Sequence, residues 1–218
     1  FAGNGVLACS VVSSRLLRRI AQSHGLGFRR TLTGFKYIGE KITEFARSGE
    51  REFLFGYEES YGYLAGTHAQ DKDAVVAAML ICEMAAYYRS VGSSLKERLE
   101  ELYRDYGRYL NAVDSFEFPG LSGMDKMASI MEKLRTEPPK DFAGKAVVRV
   151  KDYEKTEETG LPRANVLIYE LSDGATVIVR PSGTEPKIKA YYTTLGKDLE
   201  EAKKEREALA AAVKPYFA

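Results

Sequence analysis

The fold class written in this sequence is α/β: a layered α/β domain with a mostly parallel sheet, followed by a smaller α+β domain with an antiparallel sheet. Three observations predict it. Over residues 1–107, short β-type apolar runs alternate with segments of helical period, which implies strands joined by crossover helices. Beyond Gly107 the strand-like runs crowd together, as antiparallel neighbours do. Within that second part, Asp173-Gly174 lies between two apolar runs, a strong hairpin signal.

Each element has its own warrant. Gly5 to Val12 reads as a buried strand, and Ser13-Ser14 is placed to cap a helix carrying Leu16, Leu17, Ile20 and Ala21 on one face. Gly25 and Gly27 end that helix, Phe28 to Leu32 is a second strand, and Thr33-Gly34 turns the chain into a helix from Phe35 to about Ala46. Glu52 to Gly56 is a third strand, followed by a polar loop through Glu58, Glu59, Ser60 and Gly62. The segment Lys72 to Ser90 is helical and so apolar that burial is expected; Ser94 and Glu97 then form a capping box for a helix with Leu95, Leu99, Leu102, Tyr103 and Tyr106. The second domain, residues 108–218, has strands predicted at 109–118, 145–150, 165–171, 176–180 and 188–193. Helices are predicted at about 125–135 and 198–213, and the charged stretch 151–163 reads as a mobile loop. A hinge is expected at 107–111.

Composition narrows the function. The chain is 44% hydrophobic and 29% charged, ordinary for a globular protein. A net charge of +1 argues against nucleic acid or a membrane surface as partner. The longest apolar stretch, Ala74 to Tyr88, is interrupted by Glu83 and falls short of the roughly 18–20 residues a membrane span needs. Cys9 and Cys82 lie in apolar runs and read as buried thiols in a reducing, cytoplasmic setting. With only His24 and His68 there is no Cys/His cluster for zinc. No secretory leader is visible, and a chain that opens on Phe1 reads as a piece of something longer.

Four loops carry chemistry. In "RPSGTEP", 180–186, Arg180 offers a forked, permanently charged donor, Ser182 and Thr184 add hydroxyls, Gly183 permits close backbone approach, and two prolines hold the shape. These suit a phosphate; a plain structural turn is the alternative. "FGYEESYGYL", 55–64, places Glu58, Glu59 and Ser60 just beyond a buried strand, where ligands of open α/β sheets collect. Carboxylates and a hydroxyl suit sugar hydroxyls, although adjacent residues on a strand point to opposite faces and converge only in an irregular loop. In "QDKDA", 70–74, Asp71 or Asp73 can cap the apolar helix and Lys72 can reach a ligand. In "TLTGFKYIG", 31–39, Gly34 stands at a strand-to-helix junction whose amides attract anions, with Lys36 beside it.

In this order, "TGFKYIG", "GYEESYG", "DKD" and "RPSGTEPKIKAYY" resemble the carboxyl-terminal half of the phosphohexomutase family, nearest its phosphoglucomutase/phosphopentomutase branch. The resemblance spans essentially the whole chain and implies the third and fourth of four domains set around a cleft. It implies sugar contacts from Glu58 and Ser60, with Glu59 beside them, together with Gly34, Lys36 and Lys72. It implies phosphate contacts from Arg180, Ser182, Gly183 and Thr184, with Lys187 as an added one. The implied reaction moves phosphate between carbons 1 and 6 of a hexose, by way of a phosphoserine and a glucose 1,6-bisphosphate intermediate. Phosphopentomutase, phosphomannomutase, sugar-bisphosphate synthase and a non-catalytic phosphate-binding module are the alternatives. The phosphoserine loop and the loop that binds Mg2+ have no match in these residues. The resemblance places both in amino-terminal domains of the parent chain, so the fragment alone is expected to be inactive.

Overall fold

A computed structural model describes residues 3–120, 122–183 and 185–218. The chain divides between Gly107 and Arg108 into two compact units.

In the first unit, β1 (Gly5–Ser10), β2 (Gly27–Thr31) and β3 (Glu52–Glu58) run parallel, and β4 (Gly62–Ala65) returns antiparallel along β3. Among the described residues they form one sheet ordered β2-β1-β3-β4. The helices are α1 (Leu16–Ser23), α2 (Phe35–Ser48), α3 (Ala74–Ser90) and α4 (Leu95–Tyr106). Phe35, Ile38, Ile42 and Phe45 recur at helical spacing on α2 and bury against Val6, Ala8, Phe53 and Leu64 of the sheet. The α2 helix can lie this close to the 66–73 loop because Gly39 has no side chain: a Cβ there would stand 2.2 Å from the Gln70 carbonyl oxygen. On the strand face away from α2, Phe55, Tyr57 and Tyr63 form a ladder of rings with centroids 6.3–6.4 Å apart.

The predicted burial of the apolar helix is overturned. No residue of α3 is buried, and Val75, Met79, Ile81, Met84 and Tyr87 are exposed. Cys82, expected to be a buried thiol, is exposed with them, whereas Cys9 is buried as expected. The reason is geometric. A 17-residue helix is about 25 Å long, but the strand α3 lies against is the four-residue edge strand β4, about 13 Å long. No single helix among the described residues is long and apolar enough to cross a membrane.

The second unit contains β5 (Arg108–Glu117), β6 (Asp141–Phe142), β7 (Lys145–Asp152), β8 (Leu167–Leu171), β9 (Thr176–Pro181) and β10 (Lys187–Gly196). Among the described residues they form an antiparallel sheet ordered β5-β10-β9-β8-β7-β6. Helices α5 (Gly123–Thr136) and α7 (Leu199–Val213) bring Met127, Met131, Leu134, Leu209 and Val213 onto Tyr169, Val177, Val179, Ile188 and Tyr192. The Tyr169 hydroxyl, deep in this core, donates to the Leu134 carbonyl at 2.9 Å and so satisfies the end of α5. The Asp173-Gly174 hairpin joins β8 to β9, with Gly174 at φ 85° and the Asp173 carboxylate accepting from the Ala175 amide at 2.9 Å.

Two further expectations shift. The 151–163 stretch is not wholly a free loop: it holds a short helix α6 (Thr156–Thr159), and the buried Asp152 carboxylate accepts from the Arg135 guanidinium at 2.9 Å. Residues 109–111, expected in a hinge, lie inside β5 and are bonded to β10.

Candidate functional site

The three parallel strands of the first unit end level with one another, Ser10 opposite Thr31 and Cys9 opposite Tyr57. Their carboxyl ends therefore deliver Ser10, Thr31 and Glu58 to one edge of the sheet, the edge at which α/β sheets collect ligands. Glu58 is only 7% exposed. Its Oε1 accepts a hydrogen bond from the Gly34 amide at 2.6 Å, so the two residues singled out from separate loops are in direct contact. Gly34 precedes the first turn of α2 at φ 122°, a conformation that glycine tolerates and side chains resist. Glu58 thus places negative charge at the positive end of the helix dipole.

Beyond Glu58 the chain turns in three residues, Glu59, Ser60 and Tyr61, and pairs again at Gly62. Tyr61 takes the left-handed conformation, φ 65°, that such hairpins use at their last loop position. Ser60 is exposed at the tip. The two glutamates diverge rather than converge. Glu59 sends its Oε2 to the end of β1, where it accepts from Ser10 Oγ at 2.9 Å and Ser13 Oγ at 3.1 Å. Ser13 is therefore spent on this contact; α1 starts after Arg15 with no side-chain cap, and only Ser14 Oγ accepts from the Leu16 amide, at 3.2 Å. Burial pushes the adjacent Cys9 thiol up to about 12, Arg30 opposing the rise and Glu59 adding to it.

Lys72 joins this group through its stem. Its Cδ lies 3.0 Å from where a Gly62 Cβ would stand, so the methylenes cover the hairpin, and its Nζ pairs with Asp71 at 3.2 Å. Asp73 caps α3, accepting from the Val75 and Val76 amides at 2.8 and 3.1 Å, and its other oxygen meets His68 Nε2 at 2.9 Å. Lys36 stands apart from the hairpin residues. It is exposed on α2, with Nζ 4.8 Å from the Tyr37 ring centroid, beside a cavity of about 670 Å³ lined by Glu40, Thr43 and Gln70.

In the second unit the 180–187 segment joins β9 to β10 and is laced to itself. The Ser182 amide donates to the Lys187 carbonyl at 2.8 Å, the Lys187 amide to the Glu185 carbonyl at 2.7 Å, and the Glu185 amide to Ser182 Oγ at 3.3 Å. The Phe118 amide fastens the far side by donating to the Pro186 carbonyl at 2.8 Å. Gly183 is exposed in open space; Thr184 lies outside the described residues. Arg180 sits directly across from Lys189 in the ladder. By strand alternation Arg180, Lys187 and Lys189 share one face, opposite the core-facing Val179, Ile188 and Ala190. Lys187 is paired with Glu185 at 2.5 Å, and that pairing holds the Glu185 carboxyl below its usual range.

Sequence reasoning missed three participants. Lys189 was signalled by period two from Lys187. Ser10 and Ser13 carry only the weak signal of hydroxyls at the end of the first strand. Among the described residues no group of three or more His, Cys, Asp or Glu side chains could hold a metal ion.

A three-strand parallel edge with a carboxylate-bearing hairpin, followed by an antiparallel unit with a cationic loop, defines a class of two-unit α/β proteins. The family model described as "Phosphoglucomutase/phosphomannomutase, alpha/beta/alpha domain III" matches residues 2–106, and "Phosphoglucomutase/phosphomannomutase, C-terminal domain" matches residues 128–212. The chain belongs to the phosphoglucomutase/phosphomannomutase family. It is 38% identical over 200 residues to a phosphoglucomutase of Staphylococcus epidermidis, covering 87% of this chain and 36% of that protein. It is 34% identical over 210 residues to a phosphoglucomutase of Staphylococcus aureus, covering 92% and 38%. Among solved structures it superposes on the Paramecium pp63/parafusin phosphoglucomutase, with a TM-score of 0.69 at 18% identity, over 97% of this chain and 38% of that one. It also superposes on a phosphoglucomutase/phosphomannomutase family protein of Burkholderia thailandensis, with a TM-score of 0.57 at 15% identity, over 97% and 37%. These likenesses support the fold. The chain spans a little over a third of the length of the curated relatives it matches.

Proposed function

We propose that this chain supplies the hydroxyl-reading and phosphate-holding loops of a phosphoglucomutase-type enzyme, which moves phosphate between carbons 1 and 6 of a hexose through a phosphoserine and a sugar bisphosphate. One observation carries the phosphate half of this reading. Arg180 and Lys189 stand directly opposite each other on neighbouring strands, and like charges so placed repel. A bound dianion turns that repulsion into attraction. Arg180 presents a planar fork to two phosphate oxygens, and Lys189 and Lys187 add point charges on the same face. The loop is held by its own backbone bonds before any ligand arrives, so little ordering entropy is lost on binding.

In the first unit, Glu58 brings a carboxylate, which accepts hydrogen bonds, to the ligand edge of the sheet, and the exposed Ser60 hydroxyl both donates and accepts. These groups suit vicinal hydroxyls of a sugar. The phosphoserine and the Mg2+ of such a reaction belong to amino-terminal domains of the parent. Glucose 1-phosphate is the substrate we favour, on the likeness to phosphoglucomutases. We place the protein in a reducing, cytoplasmic setting, where the exposed Cys82 thiol would persist.

The test is calorimetric titration of glucose 1,6-bisphosphate into the chain and into Arg180→Ala. A charge-assisted hydrogen bond contributes about 1.5–3 kcal/mol, so the variant should bind roughly ten-fold to more than a hundred-fold more weakly. Equal affinity would remove Arg180 from the site. A mutase assay of the parent enzyme with glucose, mannose, ribose and glucosamine phosphates then identifies the sugar.

A further inference from the structure

We infer that Glu59 is a positioning residue: held by the Ser10 and Ser13 hydroxyls, it clamps the β3–β4 hairpin so that Glu58 and Ser60 are presented to a sugar. This rests on the proposed function above.

Three oxygens meet at the clamp. Ser10 Oγ and Ser13 Oγ lie 2.8 Å apart, and each lies within 3.1 Å of Glu59 Oε2. A carboxylate only accepts, and two serines bring two protons. Either both hydroxyls donate to Glu59, or one donates to the other and that one to Glu59. In both arrangements the carboxylate is the terminal acceptor. Ser10 and Ser13 are 0% and 1% exposed, so the network is anchored in the body of the unit, 49 and 46 residues away from Glu59 along the chain.

Direction matters as much as strength. Glu58 is fastened to the Gly34 amide at the turn from β2 into α2, and Glu59 to the turn from β1 into α1. Two adjacent side chains thus tie one hairpin to two different strand ends. A lone hairpin is marginally stable. This one turns within three residues and carries the 87% exposed Tyr61 at its tip. Its stem is held by β1 and by Leu64 in the core, and these ties hold its tip. Ser60 is the next residue along from Glu59, so the clamp sets where its hydroxyl points.

The experiment has two readouts on the 218-residue chain. The first is amide hydrogen exchange of Ser60 to Gly62 without ligand; the second is affinity for glucose 1,6-bisphosphate. Glu59→Ala should fold, because Ser10 and Ser13 can still bond one another across 2.8 Å. It should speed exchange at the hairpin at least about ten-fold and weaken the bisphosphate about ten-fold. Glu59→Gln should restore both to within about three-fold, since its carbonyl takes one serine donor and its amide meets the other serine. Ser13→Ala should fall between the two.

Unchanged hairpin exchange in Glu59→Ala overturns the inference. So does a Glu59→Gln variant as weak as the alanine one, which would make the charge itself the ligand contact. If the unaltered chain binds no bisphosphate, the functional proposal fails while the exchange readout still decides the clamp.

Discussion

Replacing Glu58 by alanine should unfasten the start of α2. The bond lost is short, 2.6 Å, and made by a carboxylate that is 7% exposed. A hydrogen bond to a charged group contributes about 1.5–3 kcal/mol, and the orphaned Gly34 amide then stands unsatisfied at a helix end. Freeing the unit from a buried carboxylate offsets part of this, because burying charge is itself costly. A net local loss of about 2 kcal/mol follows, which corresponds to amide exchange about 30-fold faster in the first turns of α2. Hydrogen exchange read by mass spectrometry on peptides from residues 34–48 measures it without requiring the two units to unfold together. Glu58→Gln keeps a carbonyl acceptor and should lose only about 1 kcal/mol. If α2 in the alanine variant exchanges within about two-fold of the original, the bond does not hold the helix and the reasoning fails.

Two more outcomes follow from the packing of the first unit. A thiol reagent should label Cys82 at once and Cys9 only on unfolding, since one is exposed and the other is buried with its pKa pushed up to about 12; two fast thiols would contradict the packing of β1. Asp73 has its carboxyl pKa lowered below 3.8 by the bond to His68 and by the Val76 and Val75 amides. Its contribution to the start of α3 is therefore complete above 3.8 and lost as pH falls through the lower folded value. The Val75 and Val76 amide shifts should titrate below 3.8 and stay flat in Asp73→Asn, and a midpoint at or above 3.8 would refute the cap.

What could be read from the chain was what is local in it. The Ser94–Glu97 start of α4, with Ser94 Oγ taking the Glu97 amide at 3.2 Å, needs only three residues of context. The Asp173-Gly174 turn needs two. The turn between β9 and β10 was visible for the same reason, its bonds running among residues 182–187. Strand β4 was overlooked because Gly62–Ala65 is short and follows a segment that reads as pure loop. The burial of α3 was misjudged because an apolar helix declares that it needs a partner without declaring that its own unit provides one. The serine clamp on Glu59 joins residues almost fifty positions apart, and only the strand register brings them together.

Strand β5 starts at Arg108, on the boundary between the units, and ends at Glu117, paired with Lys187 where the cationic loop closes. Ten unbroken ladder partners make β5 and β10 a stiff boom about 30 Å long. The far end of this boom carries Lys187 and, one strand over, Arg180, so the cationic loop is braced by the full length of the ladder beneath it.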